Sequence, residues 1–70
     1  MTGEEFVRKV KRLGRARGVE VWLDVERGKG SHATLYYGDR RTVVRYRRKE
    51  LGKSLLHAMC RQLGIRPEDL

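Results

Sequence analysis

The 70-residue chain has the length of one small domain with a thin core. Lys and Arg number 17 against 9 Asp and Glu, for a formal charge of +8 and a pI of about 10.4; that excess is the footprint of a partner to a polyanion, nucleic acid first. The single cysteine, Cys60, excludes an intrachain disulfide and fits a reducing compartment. No apolar run approaches the roughly 18 residues of a membrane span. There is no secretion-signal pattern, so the expectation is a cytoplasmic protein with no membrane partner.

Thr2-Gly3-Glu4-Glu5 has the form of a capping box. Phe6, Val10 and Leu13 follow at i, i+4, i+7 with Val7 on the flank, which predicts a helix ending near Gly14. Arg8, Lys11 and Arg12 fall on its solvated side. Arg15 to Gly18 reads as a basic connector. From Val19 to Val25 the chain alternates, with Val19, Val21, Leu23 and Val25 on one side and Glu20, Trp22 and Asp24 on the other, the pattern of a half-buried strand.

A second strand is predicted from Ser31 to Tyr37. Ala33, Leu35 and Tyr37 face inward and His32, Thr34 and Tyr36 outward. Gly38-Asp39 marks a hairpin turn. In the third strand, Thr42 to Arg47, adjacent Val43 and Val44 leave the parity open. Facing Thr42, Val44 and Tyr46 inward avoids burying arginines. The last helix is expected to start near Lys53 or Ser54, with Ser54 as N-cap. Its core stripe is Leu55, Met59 and Leu63 with Ala58 alongside, and it closes at Gly64 with Ile65 following. Arg66 to Leu70 reads as a terminal turn. The expectation is one α+β domain over residues 1–70, ordered α-β-β-β-α, with both helices on one face of a three-stranded antiparallel sheet.

That arrangement leaves a second sheet face carrying Trp22, His32, Thr34, Tyr36, Arg45 and Arg47, cations interleaved with aromatics that suit phosphates and bases. On these residues alone, an ordinary solvated face is an equal reading. Before the second strand, Gly28-Lys29-Gly30-Ser31-His32 sets a cationic, glycine-rich turn directly against a histidine. Lys29, the turn amides around Gly30 and the Ser31 hydroxyl can all donate to an anion. His32 is suited to moving protons near neutral pH; the blander reading is a strand-end histidine bonded to a loop carbonyl. His57 lies off the helix stripe and reads as a surface residue. Cys60 borders the core and reads as inert packing. No pair among His32, His57, Cys60 and the carboxylates has recognisable metal-ligand spacing, so neither metal nor cofactor is expected.

The order Gly30-Ser31-His32, strand, Gly-Asp turn, valine-containing strand, Lys49-Glu50-Leu51, Gly-Lys-Ser-Leu and Arg61-Gln62-Leu63-Gly64-Ile65 resembles the HicA toxins of toxin–antitoxin pairs. The resemblance spans Gly28 to Leu70. The first helix fits in type, and Gly14 to Glu26 is longer than the family pattern. What the resemblance implies is a double-stranded-RNA-binding-like fold, ribonuclease activity on mRNA and a HicB-type antitoxin as partner. The family's catalytic histidine maps onto His32. Where the family pattern has a proline and a second histidine after the third strand, this chain has Arg45, Tyr46 and Arg47.

From these residues follows a route in which His32 takes the ribose 2′-OH proton, with Tyr46, Tyr36 or Lys29 as general acid and no cleavage of DNA. Two other functions stay open: a non-catalytic RNA-binding domain, and a basic module that docks an acidic protein.

Overall fold

The computed structural model describes residues 1–25, 32–45 and 48–70. Its elements are α1 (Gly3–Arg17), β1 (Val21–Val25), β2 (Ala33–Tyr37), β3 (Arg40–Val44), α2 (Lys53–Leu63) and a 3-10 turn at Pro67–Asp69. The strands pair antiparallel in the order β1-β2-β3. The fold is the α+β arrangement read from the sequence.

α1 opens on the expected capping box. The Glu5 N–H donates to Thr2 Oγ1 at 3.2 Å, and the Thr2 N–H donates to Glu5 Oε1 at 2.9 Å. Two of the first-turn donors that a helix leaves orphaned are thereby satisfied. The expected end at Gly14 is wrong. The helix runs one turn further to Arg17, so the predicted connector is its last turn. Gly18, at φ 69°, closes it by donating to the Gly14 carbonyl. Arg15, Ala16 and Arg17 are good helix formers and carry the helix on. Gly14 is instead a point of close approach. A Cβ there would lie 2.3 Å from Val21 Cγ2 and 2.7 Å from the Val19 carbonyl oxygen, so only glycine lets α1 meet the chain entering β1.

β1 starts two residues later than predicted, at Val21, and β3 two residues earlier, at Arg40; the predicted strand ends at Ser31 and at Tyr46-Arg47 lie outside the described residues. The two-residue turn Gly38-Asp39, with Gly38 at φ 61°, sets Arg40 directly opposite Tyr37. The inward parity holds: Ala33, Leu35, Tyr37, Thr42 and Val44 are buried. Val25 is the exception, 48% exposed at the end of an edge strand.

α2 is capped by Gly52, not Ser54, which sits inside the first turn; no side chain caps this end. Its inward stripe is also rotated from the predicted one. Leu55 is 45% exposed and Ala58 is exposed, while Met59, Cys60 and Leu63 are buried and Leu56 packs against them. Positions 56, 59, 60 and 63 form one helical face, about 100° round from Leu55. Cys60 is therefore fully buried rather than at the core's border. Gly64 closes the helix at φ 74°, where a Cβ would also meet Arg40 Nε at 3.0 Å, and Ile65 tucks into the core as expected.

α1 packs on β1 and β2 and α2 on β3, and their apolar faces meet in one cluster with Leu35 and Val44. The Lys49-Glu50-Leu51 segment is held beside the start of α1: Glu50 bridges Thr2, and the Leu51 N–H donates to the Met1 carbonyl at 2.8 Å. At the other end of α1, Arg17 pairs with Asp69 at 3.4 Å.

Gly14→Ala should lower unfolding free energy by about 1–3 kcal/mol, as overpacking does, whereas Gly52→Ser should gain a few tenths by adding a cap; urea denaturation measures both. Hydrogen bonding to the Thr2 backbone holds Glu5 below its ordinary value of 4.5. A lowered carboxylate stabilises the fold above that value and loses its contribution as pH falls through the folded one. The melting-temperature gap between wild type and Glu5→Gln, open at pH 7, should close in acid below the carboxylate range.

Candidate nucleic-acid interface

Because both helices cover one face of the sheet, the side chains of opposite parity share a face that neither helix packs on. Strand register sorts them into rows. Trp22, Tyr36 and Arg41 form one row across β1, β2 and β3, and Asp24, Thr34 and Val43 form the next. His32 and Arg45 come next on their chains, directly beyond the paired Ala33 and Val44. The face thus grades from aromatic and acidic on β1 to cationic on the β3 side.

Trp22 and Tyr36 are in contact. Their rings stack with centroids 4.7 Å apart and planes 13° from parallel. Trp22 nonetheless remains 44% exposed. Beside Tyr36, Thr34, Arg41 and Val43 line a shallow concavity of about 400 Å³ that wraps the β3 edge. At that edge the Thr42 hydroxyl donates to Gln62 Oε1 and ties β3 to α2.

Of the residues singled out in the sequence, Trp22, His32, Thr34, Tyr36 and Arg45 fall where the parity put them, with His32 half-buried and Arg45 exposed. Lys29, Gly30, Ser31, Tyr46 and Arg47 lie outside the described residues. Arg41 was missed, because the third strand was started one residue too late to include it. Counting back across the two-residue Gly38-Asp39 turn would have set it opposite Tyr36. Asp24 was placed on this face but given no role.

The other histidine and the cysteine lie elsewhere. His57 is exposed on α2, in a groove with Lys53, Ser54 and Arg61. Burial pushes the Cys60 thiol above its usual range. Among the described residues no group of three His, Cys, Asp or Glu side chains is placed to hold a metal ion, and no helix is long and apolar enough to cross a membrane.

A family model described as the HicA toxin of bacterial toxin–antitoxin systems matches residues 3–65. The chain belongs to the HicA toxin family. The match takes in α1 and β1 as well as the motifs from Gly28 to Ile65. HicA toxins are mRNA-cleaving partners of antitoxins. Comparisons with curated proteins and with solved structures gave no match.

With its thiol buried and its ionisation disfavoured, Cys60 should resist a thiol reagent in the native protein and react only on unfolding. Rapid labelling of the native protein by Ellman's reagent would show that the core around Cys60 opens readily.

Proposed function

We propose that this chain is a metal-independent endoribonuclease of the toxin type that cleaves mRNA with His32 as general base. The observation that carries the reading is the family match over residues 3–65. The position of His32 supports it, at the rim of a helix-free face with Arg41 and Arg45 to hold phosphate and Trp22 and Tyr36 to meet bases.

In this mechanism neutral His32 removes the proton from a ribose 2′-OH. The oxygen attacks the adjacent phosphorus, the bond from phosphorus to the 5′-oxygen breaks, and the products carry a 2′,3′-cyclic phosphate and a 5′-OH. Lys29, Arg45, Arg47 and the backbone amides around Gly30 and Ser31 stabilise the added negative charge. The leaving oxygen takes its proton from Tyr46 or Lys29; Tyr36, four positions and about 13 Å along the strand from His32, is out of reach. A second histidine is absent from the segment after β3, where Arg45 stands. The nucleophile is the 2′-OH, so DNA is not cut. The partner that silences the activity is a HicB-type antitoxin, whose acidic groups would meet the same cations. The site of action is the cytoplasm.

The test is cleavage of a defined RNA by wild type and His32→Ala in EDTA, with product ends mapped. Wild type should cut and leave cyclic-phosphate ends, and the variant should lose at least about a hundredfold in rate, as expected for a general base, while still binding RNA. Equal cutting by the two proteins contradicts the assignment of His32. Binding without cutting by either would favour a non-catalytic RNA-binding domain.

A further inference from the structure

We propose that the Trp22–Tyr36 stack is a subsite for one unpaired nucleobase, and that it makes this protein select single-stranded over duplex RNA. The proposal rests on the ribonuclease reading and adds where the substrate lies on the sheet and in what form.

The first argument is geometric. The two rings are cross-strand partners, nearly parallel, 4.7 Å apart and fixed to adjacent strands, so they act as one rigid platform. An indole that is the largest side chain on the sheet stays 44% exposed, on the face opposite the buried Leu35 and Val44. A base laid on such a platform gains the stacking that nucleic-acid binders draw from exposed aromatics. Cross-strand packing stabilises the sheet itself, so the pairing alone does not require a ligand. The charge pattern around it points to one.

That pattern is polar across the strands. Arg41 stands beside Tyr36 on β3 and Arg45 follows on the same side, whereas Asp24 follows Trp22 on β1. Phosphates are attracted to the β3 side and repelled from the β1 side. A strand bound here therefore runs its backbone along β3 and points its bases toward β1, where Trp22 stacks and the Asp24 carboxylate can accept from an exocyclic amine. Tyr36 lies four positions beyond His32, which directly precedes β2, a span of about 13 Å. The stacked base thus belongs to a nucleotide near the cleaved linkage, not to the cleaved linkage itself.

A duplex cannot use this site. Its bases have their faces closed by neighbours and its deep groove is narrow. Attack by a 2′-oxygen also needs that oxygen in line with the departing 5′-oxygen, which a continuous A-form stack prevents. Pulling one base onto Trp22 would break the stack next to the reacting phosphate.

Trp22 is the chain's only tryptophan, so its emission reads the subsite directly. The experiment titrates His32→Ala protein, which should leave the RNA intact, with an unstructured RNA octamer and with the same strand annealed to its complement, at one salt concentration. Anisotropy of a dye on the RNA follows binding independently. The single strand should quench Trp22 and bind at least about tenfold more tightly than the duplex. Tyr36→Leu should cost the single strand about tenfold in affinity while Tyr36→Phe keeps it, with melting curves confirming that both fold. RNA that binds without quenching Trp22, or a duplex that binds equally well, overturns the subsite and leaves the ribonuclease reading standing. An anisotropy that never rises, together with wild-type protein that never cuts, overturns both.

Discussion

The architecture depends on the packing of Leu35. It lies at the centre of the middle strand, fully buried, in one cluster with Phe6 and Val10 of α1 and with Cys60 and Leu63 of α2. A strand turns successive side chains to opposite faces, so committing Leu35 to the helices commits Ala33 and Tyr37 with it. Pairing then extends the same parity to Leu23 on β1 and to Thr42 and Val44 on β3. A slip of one residue would bury Arg41 and expose Leu35. The register is specified by that penalty more than by any hydrogen bond.

The opposite face follows from the same constraint. His32, Thr34 and Tyr36 are outward because their neighbours are inward. Their cross-strand partners are then set: Trp22 beside Tyr36, Arg41 on its other side, Val43 beside Thr34. A chain of this size has little core to spend on stability, yet it leaves Trp22 and Val43 nearly half-exposed and carries a charge of +8. Such a surface sets exposed aromatic and apolar side chains beside the cations of the β3 side. It suits an extended polyanion whose bases need an apolar contact and whose phosphates need cations.

Much of this was legible because strands with one buried face announce it by alternation. The parity of β1 and β2, the Thr2–Glu5 capping box, the Gly38-Asp39 turn and the Gly64 helix stop could all be read from residue type and spacing. The misreadings share a cause, which is that tertiary contact decided a local ambiguity. Gly14 looks like a stop in sequence but is the residue that lets α1 touch Val21. Leu55 and Leu56 are equally apolar, and only the packed core shows that Leu56 turns inward while Leu55 lines an open groove beside Thr42 and Val43. Ser54 is a better capping residue than Gly52, but the helix begins where the chain leaves Leu51, whose own side chain is anchored in the core. Of the candidate site, His32, Trp22, Tyr36 and Arg45 were visible by parity and the family by its ordered motifs, whereas Arg41 needed the turn to be counted.

The proposed interface sets RNA on the open face of the sheet and not on the basic surfaces of the helices. The most direct measurement is the map of backbone amide shifts when the protein binds a short RNA made uncleavable by 2′-O-methylation. The largest changes are expected at Trp22, His32, Thr34, Tyr36, Arg41 and Arg45. Changes confined to Arg8, Lys11 and Arg12 on α1 or to Lys53, His57 and Arg61 on α2 would contradict it.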